Sequence, residues 1–163
     1  MGFESESIAI IGMAGRFPGA RNVEEFYQNL AGGVESISPL TEEQLRTAGV
    51  SEKLLANPDY VRMAPLLADF DCFDETFFDI SPAEAALLDP QHRLFLEVCW
   101  QAFEDGGYAG EAAGSRTGVF AGAGGMMMSY LLSGEHLRRE LLSGTAGPGH
   151  EANDKDYLAT RVA

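Results

Sequence analysis

Two helix starts of the same kind stand close together in this chain, and they constrain its fold more strongly than any other feature. The first, Ser81-Pro82-Ala83-Glu84, combines a serine N-cap, a proline at the first helical position and a glutamate three residues after the cap. Asp89-Pro90 repeats the cap and the proline. Because a proline disfavours the helical conformation in the residue before it, the first helix has to stop there. The sequence therefore predicts two helices that meet at a sharp joint near Leu88.

The second of these helices is predicted over Pro90–Asp105, because Gly106 supplies a stop signal directly after it. Its apolar residues recur with helical spacing and predict one buried face. The residues expected on that face are Leu94, Phe95, Val98, Trp100, Ala102 and Phe103.

Two earlier helices carry capping boxes, in which a cap residue and a side chain three residues later bond each other's backbone. Glycines follow both helices as stop signals. The predicted helices are Val23–Ala31, with Asn22 and Glu25 as its box, and Glu42–Ala48, with Thr41 and Gln44.

Two short apolar runs, each followed by a glycine-rich turn, are typical of buried strands. They are Ile8–Ile11 and Thr117–Ala121. An extended segment is also expected near Tyr60–Phe70, and helical stretches are expected over Met126–Leu132 and Glu135–Leu142. This order of strands and helices indicates an α/β domain.

The last residues have the pattern of a helix that begins and does not end. Asn153 is a good N-cap, and Asp154 and Asp156 would lie in a first turn, where carboxylates suit the helix dipole. No stop signal follows before Ala163. The pattern predicts that residues 1–163 are part of a longer domain.

Composition excludes several classes of partner. The net charge of −14 at pH 7 argues against nucleic acid and anionic membrane surfaces. No apolar run is long enough to span a membrane, and the N-terminus lacks the layout of a signal peptide. We therefore expect a cytoplasmic protein.

The sequence lacks the motifs of nucleotide sites, metal sites and activated nucleophiles. The glycines after Thr117–Ala121 do not complete a dinucleotide fingerprint, because Met127 stands where the third glycine is needed. The three histidines and two cysteines have no ligand spacing, so no metal is expected. Cys99 lies in an apolar helical stretch and Cys72 lies among acids, so neither is expected to be a nucleophile.

The remaining polar features have structural explanations. His92 is expected to be a packing or surface residue. The acidic pairs Asp69/Asp71 and Glu42/Glu43 match no calcium loop and are expected to be solvated.

Four segments of the chain, taken in order, carry a resemblance to a known family. They are Ser7–Gly19, Phe73–Pro90, Asp89–Tyr108 and Asn153–Val162. Together they resemble the N-terminal part of the β-ketoacyl synthase (ketosynthase) domain of a modular polyketide synthase. The resemblance implies a thiolase-like α/β fold built from two similar halves, with residues 1–163 as an incomplete N-terminal half that stops before the nucleophilic cysteine.

The resemblance also implies the reaction of the intact domain. An acyl chain moves from the phosphopantetheine arm of an acyl carrier protein to a cysteine, and then condenses with a malonyl-type extender after decarboxylation. In the family that cysteine follows the segment matching Ala159–Ala163, and two histidines and a lysine come later. We therefore expect no catalytic residue and no directly bound cofactor in this chain. The expected partners are an acyl carrier protein, other polyketide synthase domains, a second copy of the intact domain and its C-terminal half.

A methionine-rich run allows two interpretations. It either packs a helix into the core or, as the resemblance suggests, lies near the subunit interface and the acyl channel, where flexible thioethers suit an adaptable apolar wall. Its residues are Met126, Met127, Met128 and Tyr130.

Two other functions stay open on the sequence. One is a non-catalytic subunit of a split ketosynthase, which acts by pairing with a chain that carries the cysteine. The other is a stand-alone α/β binding module, which the unfinished last helix disfavours.

Overall fold

The computed structural model describes residues 8–110, 117–124, 142, 153 and 155–163. The chain divides into two compact units. The small unit is Gly15–Ala68, and the large unit combines Met1–Ala14 with Asp69–Ala163.

The small unit contains three short helices and a two-stranded ribbon. Its elements are α1 (Val23–Ala31), β1 (Ser38–Pro39), α2 (Glu42–Thr47), α3 (Glu52–Leu55) and β2 (Met63–Ala64). The strands are antiparallel, with Ser38 opposite Ala64 and Pro39 opposite Met63. The expected extended segment near Tyr60–Phe70 therefore contains β2.

Both capping predictions in the small unit are confirmed, with one difference of detail. Thr41 Oγ1 accepts from Gln44 N, and Gln44 Oε1 accepts from Thr41 N at 2.8 Å, so this box is complete. Asn22 Oδ1 accepts from Glu25 N at 2.8 Å, but the Glu25 carboxylate accepts from Arg21 N instead of from the cap itself. Each cap satisfies backbone donors that the first helical turn leaves without partners.

The large unit is built on two consecutive helices. They are α4 (Pro82–Leu87) and α5 (Pro90–Asp105), and α5 begins and ends where the sequence predicts. Ser81 Oγ accepts from Glu84 N, and Asp89 Oδ1 accepts from Gln91 N at 2.7 Å. Between the helices Leu88 is extended and wholly buried. We refer to residues 87–89 as the α4–α5 joint.

The burial of α5 differs from the prediction. The buried residues are His92 and Leu96, while the expected Leu94, Phe95, Val98, Trp100, Ala102 and Phe103 are only partly buried. The helical spacing is right, but several of these side chains face cavities rather than packed neighbours.

The prediction of buried strands at Ile8–Ile11 and Thr117–Ala121 is wrong for this structure. Neither run is paired with a strand among the described residues, and Ile8 and Phe120 are 96% and 95% exposed. A helix satisfies its own backbone, whereas a strand needs a neighbouring strand for every hydrogen bond.

The predicted α-helix after Asn153 is also wrong. Lys155–Tyr157 is a single 3₁₀ turn, and turns continue to Val162. The Asn153 side chain bonds the α4–α5 joint through both its amide oxygen and its amide nitrogen. The helical stretches predicted over Met126–Leu132 and Glu135–Leu142 lie, apart from Leu142, outside the described residues. Among the described helices none is long and apolar enough to cross a bilayer.

Candidate functional site

The N-terminal segment of the large unit packs against the C-terminal end of α5. A Cβ atom at Gly12 would lie 2.3 Å from Ala102 O and 2.8 Å from Gly106 N, so only glycine allows this approach. A Cβ at Gly106 would in turn lie 3.2 Å from Ile11 O. Next in the chain, Met13 N donates to Asp105 Oδ2 at 2.8 Å. These contacts hold the Ile8–Ile11 run beside α5 although it forms no strand.

An open groove of about 720 Å³ lies along the same side of α5. Ile11 from the first run predicted to be a strand and residues 117–120 from the second border it, together with one face of the helix. We refer to it as the α5 groove. Its walls are mainly apolar and are formed by Ile11, Gly12, Phe95, Cys99, Ala102, Phe103, Gly106, Tyr108, Thr117, Gly118, Val119, Phe120 and Val162.

A second cavity of about 200 Å³ shares part of this wall. Cys99, Phe103 and Val162 border both spaces. An aromatic cluster packs near it, with Phe77 edge-on to Trp100 at 5.0 Å between ring centroids and Phe73 stacked on Phe78 at 5.2 Å. Aromatic packing therefore holds the loop before α4 against α5.

Neither cysteine has the surroundings of an activated nucleophile. Burial raises the pKa of the Cys99 thiol, which keeps it protonated at neutral pH. Cys72 is exposed. The absence of a catalytic nucleophile from the chain stays a prediction.

The other candidate polar residues have structural roles in the described part of the chain. His92 is fully buried at the start of α5, in agreement with a packing role. Glu42 pairs with Arg62 at 2.7 Å and with Arg46 at 3.0 Å, and hydrogen bonding and charge from Arg62, then Arg46, lower the pKa of its carboxyl. No group of three or more potential metal ligands is found among the described residues.

One cluster of polar contacts was not predicted from the sequence. It joins the last residues of the chain to α4 and to the α4–α5 joint. Asn153 Nδ2 donates to Leu87 O, and Arg161 pairs with Glu84 at 3.0 Å. The sequence assigned Asn153 and Glu84 to helix capping, which is a local role, whereas these contacts span 66 and 77 positions. The predicted channel residues Met126, Met127, Met128 and Tyr130 lie outside the described residues, so their role stays a prediction.

The chain as a whole is similar to polyketide synthases. Residues 5–163 match the family model described as "Beta-ketoacyl synthase, N-terminal domain". A subunit of the phenolphthiocerol/phthiocerol polyketide synthase of Mycobacterium tuberculosis is 45% identical over 168 aligned residues, which cover all of this chain and 11% of that protein. Polyketide synthase PksN of Bacillus subtilis is 38% identical over 91% of this chain and 2% of its own length. The chain thus spans a small part of the curated relatives that it matches.

Solved structures of ketosynthase domains show the same relationship. The oxazolomycin ketosynthase domain OzmH KS7 of Streptomyces albus JA3453 matches 94% of this chain with a TM-score of 0.68 and 31% identity, over 26% of its own length. Ketosynthase twelve of the bacillaene polyketide synthase of Bacillus amyloliquefaciens matches 59% of this chain, with a TM-score of 0.52 and 48% identity, over 17% of its length. The α/β, thiolase-like class is therefore confirmed for this segment.

Proposed function

Because the chain belongs to the β-ketoacyl synthase family, as a segment of its N-terminal domain, we propose that it forms part of a polyketide synthase ketosynthase. The intact domain takes an acyl chain from the phosphopantetheine arm of an acyl carrier protein and condenses it with a malonyl-type extender after decarboxylation. The residues described here supply scaffold to that reaction. We expect Met126, Met127, Met128 and Tyr130 to contribute to the dimer surface or to the wall of the acyl channel.

The observation that carries this proposal is the α5 groove. Ile11 and residues 117–120, which come from the two runs with strand-like sequences, border the open groove, and no strand covers them among the described residues. Such a surface is suited to receive further strands of the same domain. The remaining part of the ketosynthase is therefore the proposed partner of this face, and the intact domain is proposed to form a homodimer that works with other polyketide synthase domains.

The chemistry of the described residues fits a scaffold better than a reaction centre. Covalent acyl transfer needs a thiolate with a neighbouring base. Burial raises the pKa of the Cys99 thiol, and the described residues that line the α5 groove include no histidine or carboxylate that could act as its base. Among the described residues that line the groove there is also no cation that could bind the phosphate of a phosphopantetheine arm. Nucleophile, base and phosphate contacts are therefore assigned to other parts of the intact domain.

Acylation of the chain by itself tests this proposal. Residues 1–163 are incubated with an activated acyl thioester and measured by intact-mass spectrometry. We expect no stoichiometric adduct on this chain. When the C-terminal half of the domain is added, we expect one acyl group on that half.

Labelling of Cys72 or Cys99 that an alanine at the same position abolishes would overturn the scaffold role. Stable pairing with a separate chain that carries the cysteine would instead identify a split subunit, the second function considered from the sequence.

A further inference from the structure

The side-chain amide of Asn153 links two helices that are distant from it in sequence. Its Nδ2 donates to Leu87 O at 2.8 Å, and its Oδ1 accepts from Asp89 N. Leu87 is the last residue of α4 and Asp89 is the N-cap of α5. One planar amide thus satisfies a terminal carbonyl of the first helix and a backbone donor at the start of the second.

This contact is inside the protein. Asn153 and Asp89 are each 2% exposed, and Leu88 between the bonded groups is fully buried. A buried polar group without a partner is costly, so the amide and the α4–α5 joint depend on each other. An isolated surface contact would not impose such mutual dependence.

One ion pair attaches the residues after Asn153 to α4, and a buried leucine lies between the two polar contacts. Arg161 Nη1 donates to Glu84 Oε1 at 3.0 Å, and these side chains are only 20% and 43% exposed. Between the two polar anchors Leu158 is 3% exposed. The segment 155–163 is therefore held before its start by Asn153, in its middle by Leu158 and near its end by Arg161. We call this set of contacts, Asn153 with the joint and Arg161 with Glu84, the joint clamp.

We propose that Asn153 and Arg161 are positioning residues of the ketosynthase reaction. The inference rests on the proposed function, in which the nucleophilic cysteine follows Ala159–Ala163. The joint clamp fixes this segment against α4 and α5, and so it sets where the following nucleophile lies relative to the rest of the domain. A displacement of about 1 Å can lower a reaction rate on the order of a hundredfold when it moves a reacting group.

The hydrogen bonds and the ion pair of the joint clamp suggest substitutions that distinguish a positioning role from a loss of side-chain packing. Asn153→Asp keeps the shape and the acceptor but loses the donor, and it places a carboxylate oxygen beside Leu87 O. Arg161→Glu breaks the outer anchor by facing Glu84 with a like charge, and the exchanged pair Glu84→Arg with Arg161→Glu restores opposite charges. If the exchanged pair restores the acylation rate, the ion pair is responsible, because a mere loss of packing would not be repaired by exchanging the charges.

The test is single-turnover acylation of the intact ketosynthase domain that contains this chain, at varied acyl thioester concentration. For Asn153→Asp and for Arg161→Glu we expect the maximal rate to fall on the order of tenfold or more, with the half-saturating concentration little changed, because substrate binding is not altered. We expect the exchanged pair to recover most of the lost rate. Hydrogen exchange of residues 155–163 should rise in the single variants and return in the exchanged pair.

Thr41→Ala serves as the control, since it weakens a helix cap of α2 whose hydrogen bonds involve no residue of the clamp. It should leave the maximal rate of the folded domain unchanged. An unchanged rate in both single variants, or an equal loss in Thr41→Ala, would overturn the positioning role while the proposed function stands. A wild-type domain that is never acylated would overturn the proposed function, and the positioning role with it.

Discussion

The two sides of α5 differ in how far the described residues bury their apolar side chains and satisfy their polar groups. On the side of the α4–α5 joint, Leu88 and Asn153 are almost completely buried, and the polar groups of the two helix ends are bonded. On the side of the α5 groove, the lining residues Ile11 and Phe120 are 64% and 95% exposed. Both sides belong to the large unit and contact the same helix.

The difference shows which structures a local stretch of sequence can specify without contacts to residues far away in the chain. At the joint, N-caps and prolines specify two helices that satisfy their own backbones, and a few long-range contacts fix the angle between them. At the groove, the runs have the composition of strands but lack neighbours among the described residues, and composition alone forms no hydrogen bonds. The polar groups at the joint are thus satisfied within the described residues, while the groove is left open, and the rest of the ketosynthase domain is its proposed partner.

The largest expected effect comes from removing the core of the joint. Leu88→Ala deletes a fully buried side chain, and the cavity left behind should lower the free energy of unfolding by about 2 to 5 kcal/mol. Urea denaturation followed by fluorescence of Trp100, the single tryptophan, measures the change at low protein concentration. Leu30→Ala, at an exposed position of α1, is the control and should cost less than about 0.5 kcal/mol. Equal costs at both positions would mean that the joint is not a folded core.

The next effect concerns the close packing of Gly12 against the C-terminal end of α5. Gly12→Ala places a methyl group 2.3 Å from Ala102 O, which is backbone and cannot move aside cheaply. We expect a loss of about 1 to 3 kcal/mol, typical of overpacking, in the same denaturation experiment. Gly122→Ala meets no atom within 4 Å and serves as the matched control. If both substitutions are tolerated, the Ile8–Ile11 run does not pack on α5 as described.

A smaller effect is expected from a single helix cap at the joint. Ser81→Ala removes the oxygen that accepts from Glu84 N and should cost about 1 kcal/mol. Ser81→Asp keeps an acceptor at the N-terminus of α4 and should recover most of this loss. Thermal unfolding of the two variants side by side provides the measurement, and a midpoint for Ser81→Asp as low as that for Ser81→Ala would argue against the capping role.

The smallest effect on stability is expected at the groove itself. Phe120→Asp changes a side chain that is 95% exposed, so the free energy of unfolding should move by less than about 0.5 kcal/mol. Self-association of the chain should nevertheless weaken, because the substitution places a charge on the apolar surface. Tyr27→Asp, on an exposed face of α1 in the small unit, is the control for charge alone. The sedimentation coefficient measures self-association. If it falls equally in both variants relative to the unsubstituted chain, association does not use the groove.

The sequence predicted the parts of the fold that are specified locally. The helix Pro90–Asp105 and the caps at Asn22, Thr41 and Ser81 are confirmed, because each depends on residues a few positions apart. The family followed from four matching segments and is confirmed by the comparisons.

The sequence did not predict the contacts that join distant segments. Asn153 was assigned to a helix cap because its neighbours favour one, and its bonds to Leu87 and Asp89 cannot be read from local spacing. The strand at Ile8–Ile11 failed for the related reason that its pairing depends on residues elsewhere. The joint clamp and the α5 groove are therefore visible only in three dimensions.

The central claim is that the α5 groove is an incomplete surface of a larger ketosynthase domain. Size-exclusion chromatography with light scattering tests it directly, on residues 1–163 alone and after addition of the C-terminal half of the domain. We expect the chain alone to be self-associated, poorly soluble or partly molten, and we expect the mixture to give a compact dimer of the completed domain. A chain that by itself remains a monomer of about 17.5 kDa, and that does not associate with the added C-terminal half, would contradict this proposal.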